Sequence, residues 1–260
     1  MRSTQWDKDR GSVLGRALVL LDAFENENEL RLTELANRTG LPKATAHRIV
    51  AQLVERQWLE RDGSHVRLGV RVFELGSFVS YHRELREAAV PFMADLFEAT
   101  HEAVHLAVRA GLDVLYIEKI SGHRMLPVPT RVGGRMPLHC TGLGKAMLAY
   151  ASDQVLDAVI QRGLPQRTSH TITNPDQLRR ELLEVRCSGI AFDMEESAYE
   201  IRCVAAPVFG VGDQLGAISV TVSTRRPLQP AQLAPAVRTA ALGVSSVLGG
   251  SRPPHFATPS

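Results

Sequence analysis

An α+β fold in two parts is predicted from three observations. Residues 10–68 hold a helix–turn–helix pattern followed by a β-hairpin, and residues 69–86 continue as helix. Residues 87–250 interleave antiparallel strand pairs with helices, the texture of a sensor domain whose sheet cups a ligand. A length of 260 residues suits about two domains. Residues 251–260 read as a flexible tail.

Ser12 is placed to cap a first helix in which Val13, Ala17, Leu20, Leu21 and Phe24 keep helical period. Thr33 is placed to cap a short second helix carrying Glu34, Leu35, Ala36 and Arg38, and Gly40 supplies the positive φ that stops it. Pro42 sits in the first turn of a third helix, where its missing amide is no loss. Along that helix Ala46, Ile49, Val50 and Leu53 share one face, while Lys43, Thr45, Arg48 and Gln52 fall on the other. Trp58–Arg61 and His65–Leu68 flank Asp62-Gly63, a type I′ hairpin signal. Three helices and a wing complete a winged helix.

Val72, Leu75, Phe78 and Val79 then repeat as one linker helix with no breaker before Pro91, weakened slightly by Gly69 and Gly76. Another helix runs from Pro91 to about Thr100. Val104–Arg109 and Asp113–Ile120 form a hairpin around Gly111. Thr141–Tyr150 and Ser152–Arg162 are helical. Asn174-Pro175, with Gln177 at the capping-box position, opens a helix that ends near Gly189. Arg202–Phe209 and Leu215–Ser223 pair around Gly210–Asp213, and a last helix spans Pro230–Leu248.

Charge is balanced, 30 Lys+Arg against 28 Asp+Glu, so the chain is no general polycation. The small excess lies wholly in residues 1–86, with 14 basic and 12 acidic side chains. Between Arg38 and Arg67 it concentrates into a footprint suited to phosphates. On the third helix, Arg48 can pair bidentately with guanine and Gln52 with adenine. The residues expected to meet double-stranded operator DNA are Thr33, Lys43, Ala44, Thr45, His47, Arg48 and Gln52, with Arg61, His65 and Arg67 of the wing. The plainer alternative is a helical hairpin with a solvated polar face, and the wing argues against it.

No apolar run approaches the ~20 residues of a membrane helix. The first ten residues lack a signal-peptide core, which predicts a cytoplasmic protein. Cys140, Cys187 and Cys203 are odd in number and widely spaced, suggesting neither disulfides nor zinc. His101-Glu102-Ala103-Val104-His105 matches the zinc-hydrolase pattern H-E-x-x-H. That pattern works on a helix, whereas Val104–Arg109 alternates like a strand and would hold the two histidines over ~13 Å apart. Gly142-Leu143-Gly144-Lys145 lacks the first glycine of a phosphate loop and has Ala146 where Ser or Thr is needed. No catalytic constellation and no cofactor is expected.

Over nearly its full length the chain resembles the IclR family of bacterial transcriptional regulators. The resemblance rests on LTELANRTGLPKATAHRIV and VRLG in the first part. In the second it rests on RMPLHCTGLGKAMLA (Arg135–Ala149), GIAFDMEE (Gly189–Glu196), RCVAAPVF (Arg202–Phe209) and AISV (Ala217–Val220). It implies a winged helix-turn-helix, a linker helix and a GAF-like effector-binding domain, assembled as a homodimer or homotetramer. It also implies an effector pocket formed by Gly142, Leu143, Asp193, Ile201, Cys203, Ser219 and Thr221, with Val128 and Met136 as apolar walls and Met125 at the margin. Amides at the start of the Gly142 helix would seat an anion, so small carboxylic or aromatic acids fit. The family commonly has glycine near Glu200, and a glutamate there brings a further carboxylate toward the pocket. The reading is therefore a ligand-responsive regulator, a repressor by default, on an operator with half-sites about one helical turn apart or a multiple of it. The alternatives are a zinc hydrolase using His101, Glu102 and His105, or a DNA-binding module whose second domain only oligomerises.

Overall fold

The computed structural model describes residues 11–25, 27–122, 130–212 and 215–250. The chain divides into two compact units, Met1–Ser80 and Tyr81–Ser260.

The first unit contains helix α1 (Val13–Asp22), strand β1 (Glu29–Arg31), helices α2 (Leu32–Thr39) and α3 (Lys43–Glu55), strands β2 (Leu59–Asp62) and β3 (His65–Leu68), and helix α4 (Val70–Ser77). Its core is built by Leu20, Phe24, Leu30, Leu35, Ala46, Ile49, Val50, Leu59 and Val66. Leu20, Leu35 and Leu59 are essentially sealed, so truncating any of them to alanine should cost about 2–5 kcal/mol.

The helix–turn–helix forms where its pattern places it, with four local differences. Ser12 caps α1 by accepting from Gly15 N at 2.9 Å, but Val13 is exposed and the buried face is Gly15, Val19 and Leu20. Thr33 lies inside α2 rather than at its cap; instead the Glu34 carboxylate accepts the Arg31 N–H at 2.8 Å. Pro42 is the cap of α3, not its first helical residue. The hairpin pairs Asp62 with His65, so its loop is Gly63-Ser64, with Gly63 at φ 56 and Ser64 not at positive φ. That excludes type I′, which needs two left-handed residues. The wing also gains a third strand: β1 pairs antiparallel with β3, giving the order β1-β3-β2.

The linker is not one helix. α4 ends at Ser77, Phe78 and Val79 interrupt it, and α5 runs from Ser80 to Thr100 straight through Pro91. The break therefore precedes the expected position, and Pro91 costs a hydrogen bond without ending the helix.

The second unit continues with β4 (Ala103–Ala110), β5 (Asp113–Ile120), β6 (Arg135–Pro137), α6 (Gly142–Leu148), α7 (Asp153–Arg162), α8 (Pro175–Ser188), β7 (Ala191–Met194), β8 (Ile201–Phe209), β9 (Leu215–Ser223) and α9 (Pro230–Val247). Its strands form one antiparallel sheet in the order β6-β5-β4-β9-β8-β7. Period-two alternation gives the sheet two unlike faces. Val104, Leu106, Val208, Ile218 and Val220 pack with Met93 and Leu96 of α5 and Val237 and Val244 of α9. On the other face Ala107, Ala191, Ala205 and Ala217 lie with the buried residues of α6, α7 and α8. These small side chains let α6 approach closely, and all seven of its residues are buried. A methyl on Gly144 would sit 2.3 Å from the Leu138 carbonyl oxygen, a backbone clash that only glycine avoids here. The short edge strands β6 and β7 carry too few residues to show a period, and sequence patterning missed them.

Candidate functional site

On the first unit, Lys43, Ala44, His47, Arg48 and Gln52 are exposed along α3, and Thr45 is half-buried. Lys43, His47 and Arg48 have no acidic partner among the described residues. The wing differs. Arg67 is tied to Glu60 at 2.9 Å, Arg61 donates to the Gly63 carbonyl at 3.0 Å, and Arg31 reaches the His65 ring at 3.4 Å. Thr33 is exposed near the start of α2. The free cations thus project from one helix, while those beside it are partly engaged.

In the second unit a cavity of about 60 Å³ opens between the small-residue face of the sheet and α6. That is several times the roughly 10–15 Å³ one water needs. Met136, Gly142, Leu143, Asp193, Ile201, Cys203, Ser219 and Thr221 all line it. Met125 and Val128, also expected there, lie outside the described residues. Sheet register explains much of the convergence: Asp193 stands opposite Cys203, Cys203 opposite Thr221, and Ala205 opposite Ser219.

Six lining residues were not anticipated: Tyr116, Thr130, Thr141, Arg167, Ser197 and Ala198. Tyr116 had a usable signal in the alternation of β5. Thr130, Arg167, Ser197 and Ala198 come from irregular segments that carry no period. Thr141 caps α6, accepting from Gly144 N at 3.1 Å, while its hydroxyl donates to the Pro137 carbonyl at 3.0 Å.

The polar atoms around the cavity fall into two sets. Cys203 Sγ meets Thr221 Oγ1 at 3.2 Å, Thr221 Oγ1 meets His105 Nδ1 at 3.3 Å, and His105 Nε2 meets Thr130 Oγ1 at 2.8 Å. Burial, helped by the charge of Lys119, drives the His105 pKa down to about 3, so the ring is neutral at ordinary pH. Burial also pushes the Cys203 thiol up, which makes it a weak hydrogen-bonding group rather than a nucleophile. The second set centres on Asp193, which is 1% exposed. Its Oδ1 accepts from the amides of Glu196 at 2.7 Å and Ser197 at 3.3 Å, whereas Oδ2 has no partner among the described residues. Burial raises its pKa against the pull of the Ser197 hydroxyl and of the Glu196 and Ser197 amides.

Behind the cavity lies a buried ionic cluster. Lys145 Nζ is 2.6 Å from Glu196 and 2.7 Å from Glu181. Burial alone would lower the Lys145 pKa, but the two carboxylates outweigh it and raise it. Glu196 is pushed up to about 7 by burial, with repulsion from Asp193 and Glu181 against one shared ammonium. Lys145 is therefore occupied within the protein.

The H-E-x-x-H residues do not converge. His101 lies at φ 53 between α5 and β4, Glu102 pairs with Arg226 at 2.7 Å, and His105 points into its own hydrogen-bond chain. Among the described residues no cluster could hold a metal ion. Glu200 also spares the cavity: it pairs with Arg225 at 2.8 Å, while Arg202 pairs with Glu195 at 3.1 Å. Its φ of 63 is a conformation that glycine adopts at least cost.

Two family models match the chain. The IclR helix-turn-helix domain covers residues 13–63, and the model described as bacterial transcriptional regulator IclR C-terminal covers residues 78–246. The HTH-type transcriptional regulator XynR of Escherichia coli (strain K12) is 31% identical over 242 residues, 90% of this chain and 96% of that one. The transcriptional repressor IclR of the same strain is 32% identical over 202 residues, 75% of this chain and 74% of its own. Among solved structures, an IclR homolog from Microbacterium hydrocarbonoxydans complexed with 4-hydroxybenzoate superposes with a TM-score of 0.84 at 30% identity. That match covers 92% of this chain and all of the other.

Proposed function

Because this chain belongs to the IclR family of bacterial transcriptional regulators, we propose that it is a cytoplasmic repressor whose operator affinity is set by a small carboxylic or aromatic acid. It is a regulator rather than an enzyme. The observation that carries the effector reading is the cavity against α6, on which Asp193, Cys203, Ser219 and Thr221 converge. Support for an acid comes from the related protein that holds 4-hydroxybenzoate. Support for repression comes from the relatives named as repressors. Effector-contacting residues on this reading are Met136, Gly142, Leu143, Asp193, Ile201, Cys203, Ser219 and Thr221, and α3 with the wing meets the operator.

The regulator acts as a homodimer or homotetramer. α4 buries none of its eight residues, and Phe73 and Phe78 are 78% and 81% exposed. With Val70, and with Leu14 and Leu18 of α1, they supply the apolar surface that a second copy would cover.

The test is a thermal-stability screen of small acids followed by operator titration. A ligand at about 100 times its Kd should stabilise the protein by roughly 2.7 kcal/mol and shift operator affinity by about 1–3 kcal/mol. Stabilisation by none of the acids, with operator binding intact, would favour a second domain that only oligomerises.

A further inference from the structure

Resting on the reading that a second copy covers the apolar face of α4, we propose that Gln57 and Gly69 are positioning residues for operator recognition. They fix the direction of α4 against α3 and so set the separation at which a dimer accepts its two half-sites.

None of the eight residues of α4 is buried, so side-chain packing does little to aim this helix. Its direction comes from a backbone joint with the end of α3. Gln57 N donates to the Val54 carbonyl at 3.0 Å and Trp58 N to the Leu53 carbonyl at 2.9 Å, which ties the turn to α3. The same two residues then receive α4. Gly69 N donates to the Trp58 carbonyl at 2.8 Å and Arg71 N to the Gln57 carbonyl at 3.2 Å. The second bond satisfies a first-turn amide that has no partner within its own helix. Leu59 pairs with Leu68 directly beside these bonds, so β2 and β3 hold both sides of the joint in register.

Few residues fit this joint. Gln57 stands at φ 61, left-handed backbone that a side chain adopts only at a cost. Gly69 is buried, and a methyl there would overlap the Gln57 carbonyl and stand 3.0 Å from Leu59 N. Only glycine lets the two backbones approach so closely. Strain at one residue is thus held in place by close contact with the other. The chain loosens one helix later: α4 ends at Ser77, and the first compact unit closes at Ser80.

In a two-fold dimer built on Phe73 and Phe78, each α4 is the arm between the symmetry axis and its own α3. An eight-residue helix is ~12 Å long, so a tilt of about 15° moves its far end by roughly 3 Å. That is close to one base-pair step of ~3.4 Å. A stiff joint therefore holds spacing to the nearest base pair, and a loose one does not.

The experiment uses the full chain and an operator selected by the wild type from a random-sequence pool, remade with its half-sites moved in single base-pair steps. The wild type should lose about ten-fold or more in affinity at steps of about five base pairs, which turn one half-site to the opposite side of the duplex. Two glycines inserted between Gly69 and Val70 should flatten that profile to within about three-fold, with the base preference inside each half-site unchanged. Gly69→Ala, which adds the clash without lengthening the chain, should move the optimum by about one base pair. Two glycines inserted between Val79 and Ser80, beyond the arm, should leave the wild-type profile. A wild-type profile in the first insertion and in Gly69→Ala overturns the proposal, as does a flattened profile in the second insertion. Phe73→Glu, followed by sedimentation, separates the joint from the reading beneath it. A monomer supports α4 as the interface, whereas a dimer with the wild-type profile overturns the interface and the proposal together.

Discussion

On α3, Lys43, His47, Arg48 and Gln52 stand exposed, whereas Asp193, Ser219, Thr221 and Cys203 of the second unit face a small cavity, three of them 5% exposed or less. The first set is ready for a partner that brings its own charge, namely phosphates and base edges. The second is largely satisfied internally, apart from the Asp193 oxygen and the Arg167 guanidinium. Changes on α3 should therefore alter binding without touching the fold. Changes at the cavity should divide sharply between those that break a buried network and those that alter only ligand choice.

The largest effect should come from Lys145→Ala. It leaves Glu196 buried without its cation, and breaking a buried pair costs about 3–5 kcal/mol. Chemical denaturation would detect this as a lowered midpoint, and a change below ~1 kcal/mol would mean the cluster is more hydrated than its burial implies.

Next is Arg48→Ala, which should weaken specific operator binding by about 1–3 kcal/mol with an unchanged melting temperature. Arg61→Ala should instead lower affinity for all sequences and reduce the salt slope by about 1. Arg67, already paired with Glu60, should matter less than either. Equal losses on operator and random DNA for Arg48→Ala and Arg61→Ala would erase the distinction between helix and wing.

A smaller effect concerns pH. Glu196 is raised in the folded state from 4.5 to about 7, so its protonated form favours folding. That contribution is complete below pH ~4.5 and is lost as pH rises through about 7. Glu196→Gln cannot ionise, so the melting temperature of the wild type should fall relative to this variant across that interval. Parallel curves would place the titration elsewhere.

The same contrast governed what could be read in advance. α2 and α3 were legible because period, glycine stop and proline start are local signals, and the strands bearing Cys203, Ser219 and Thr221 were legible by alternation. On α1 the period placed Ala17, Leu20, Leu21 and Phe24 correctly on the core face, and it failed at Val13, which with Leu14 and Leu18 is exposed in a single chain. The break at Phe78-Val79 is announced only weakly, by Gly76 in the last turn of α4. At the cavity, the positions found in advance came from the resemblance. Arg167 and Ser197 escaped because they sit in segments whose geometry is set by Thr168, Thr171 and Asp193 across the fold.

Ligand binding at the cavity should control the DNA-reading unit. This is tested by titrating an operator, selected from a random-sequence pool, with wild type and with Asp193→Ala/Ser219→Ala, each with and without an acid that stabilises the wild type. Equal operator affinity is expected for the two proteins without ligand, with a ligand response of about 1–3 kcal/mol in the wild type only. A double variant that binds operator and still responds fully to the ligand would contradict it.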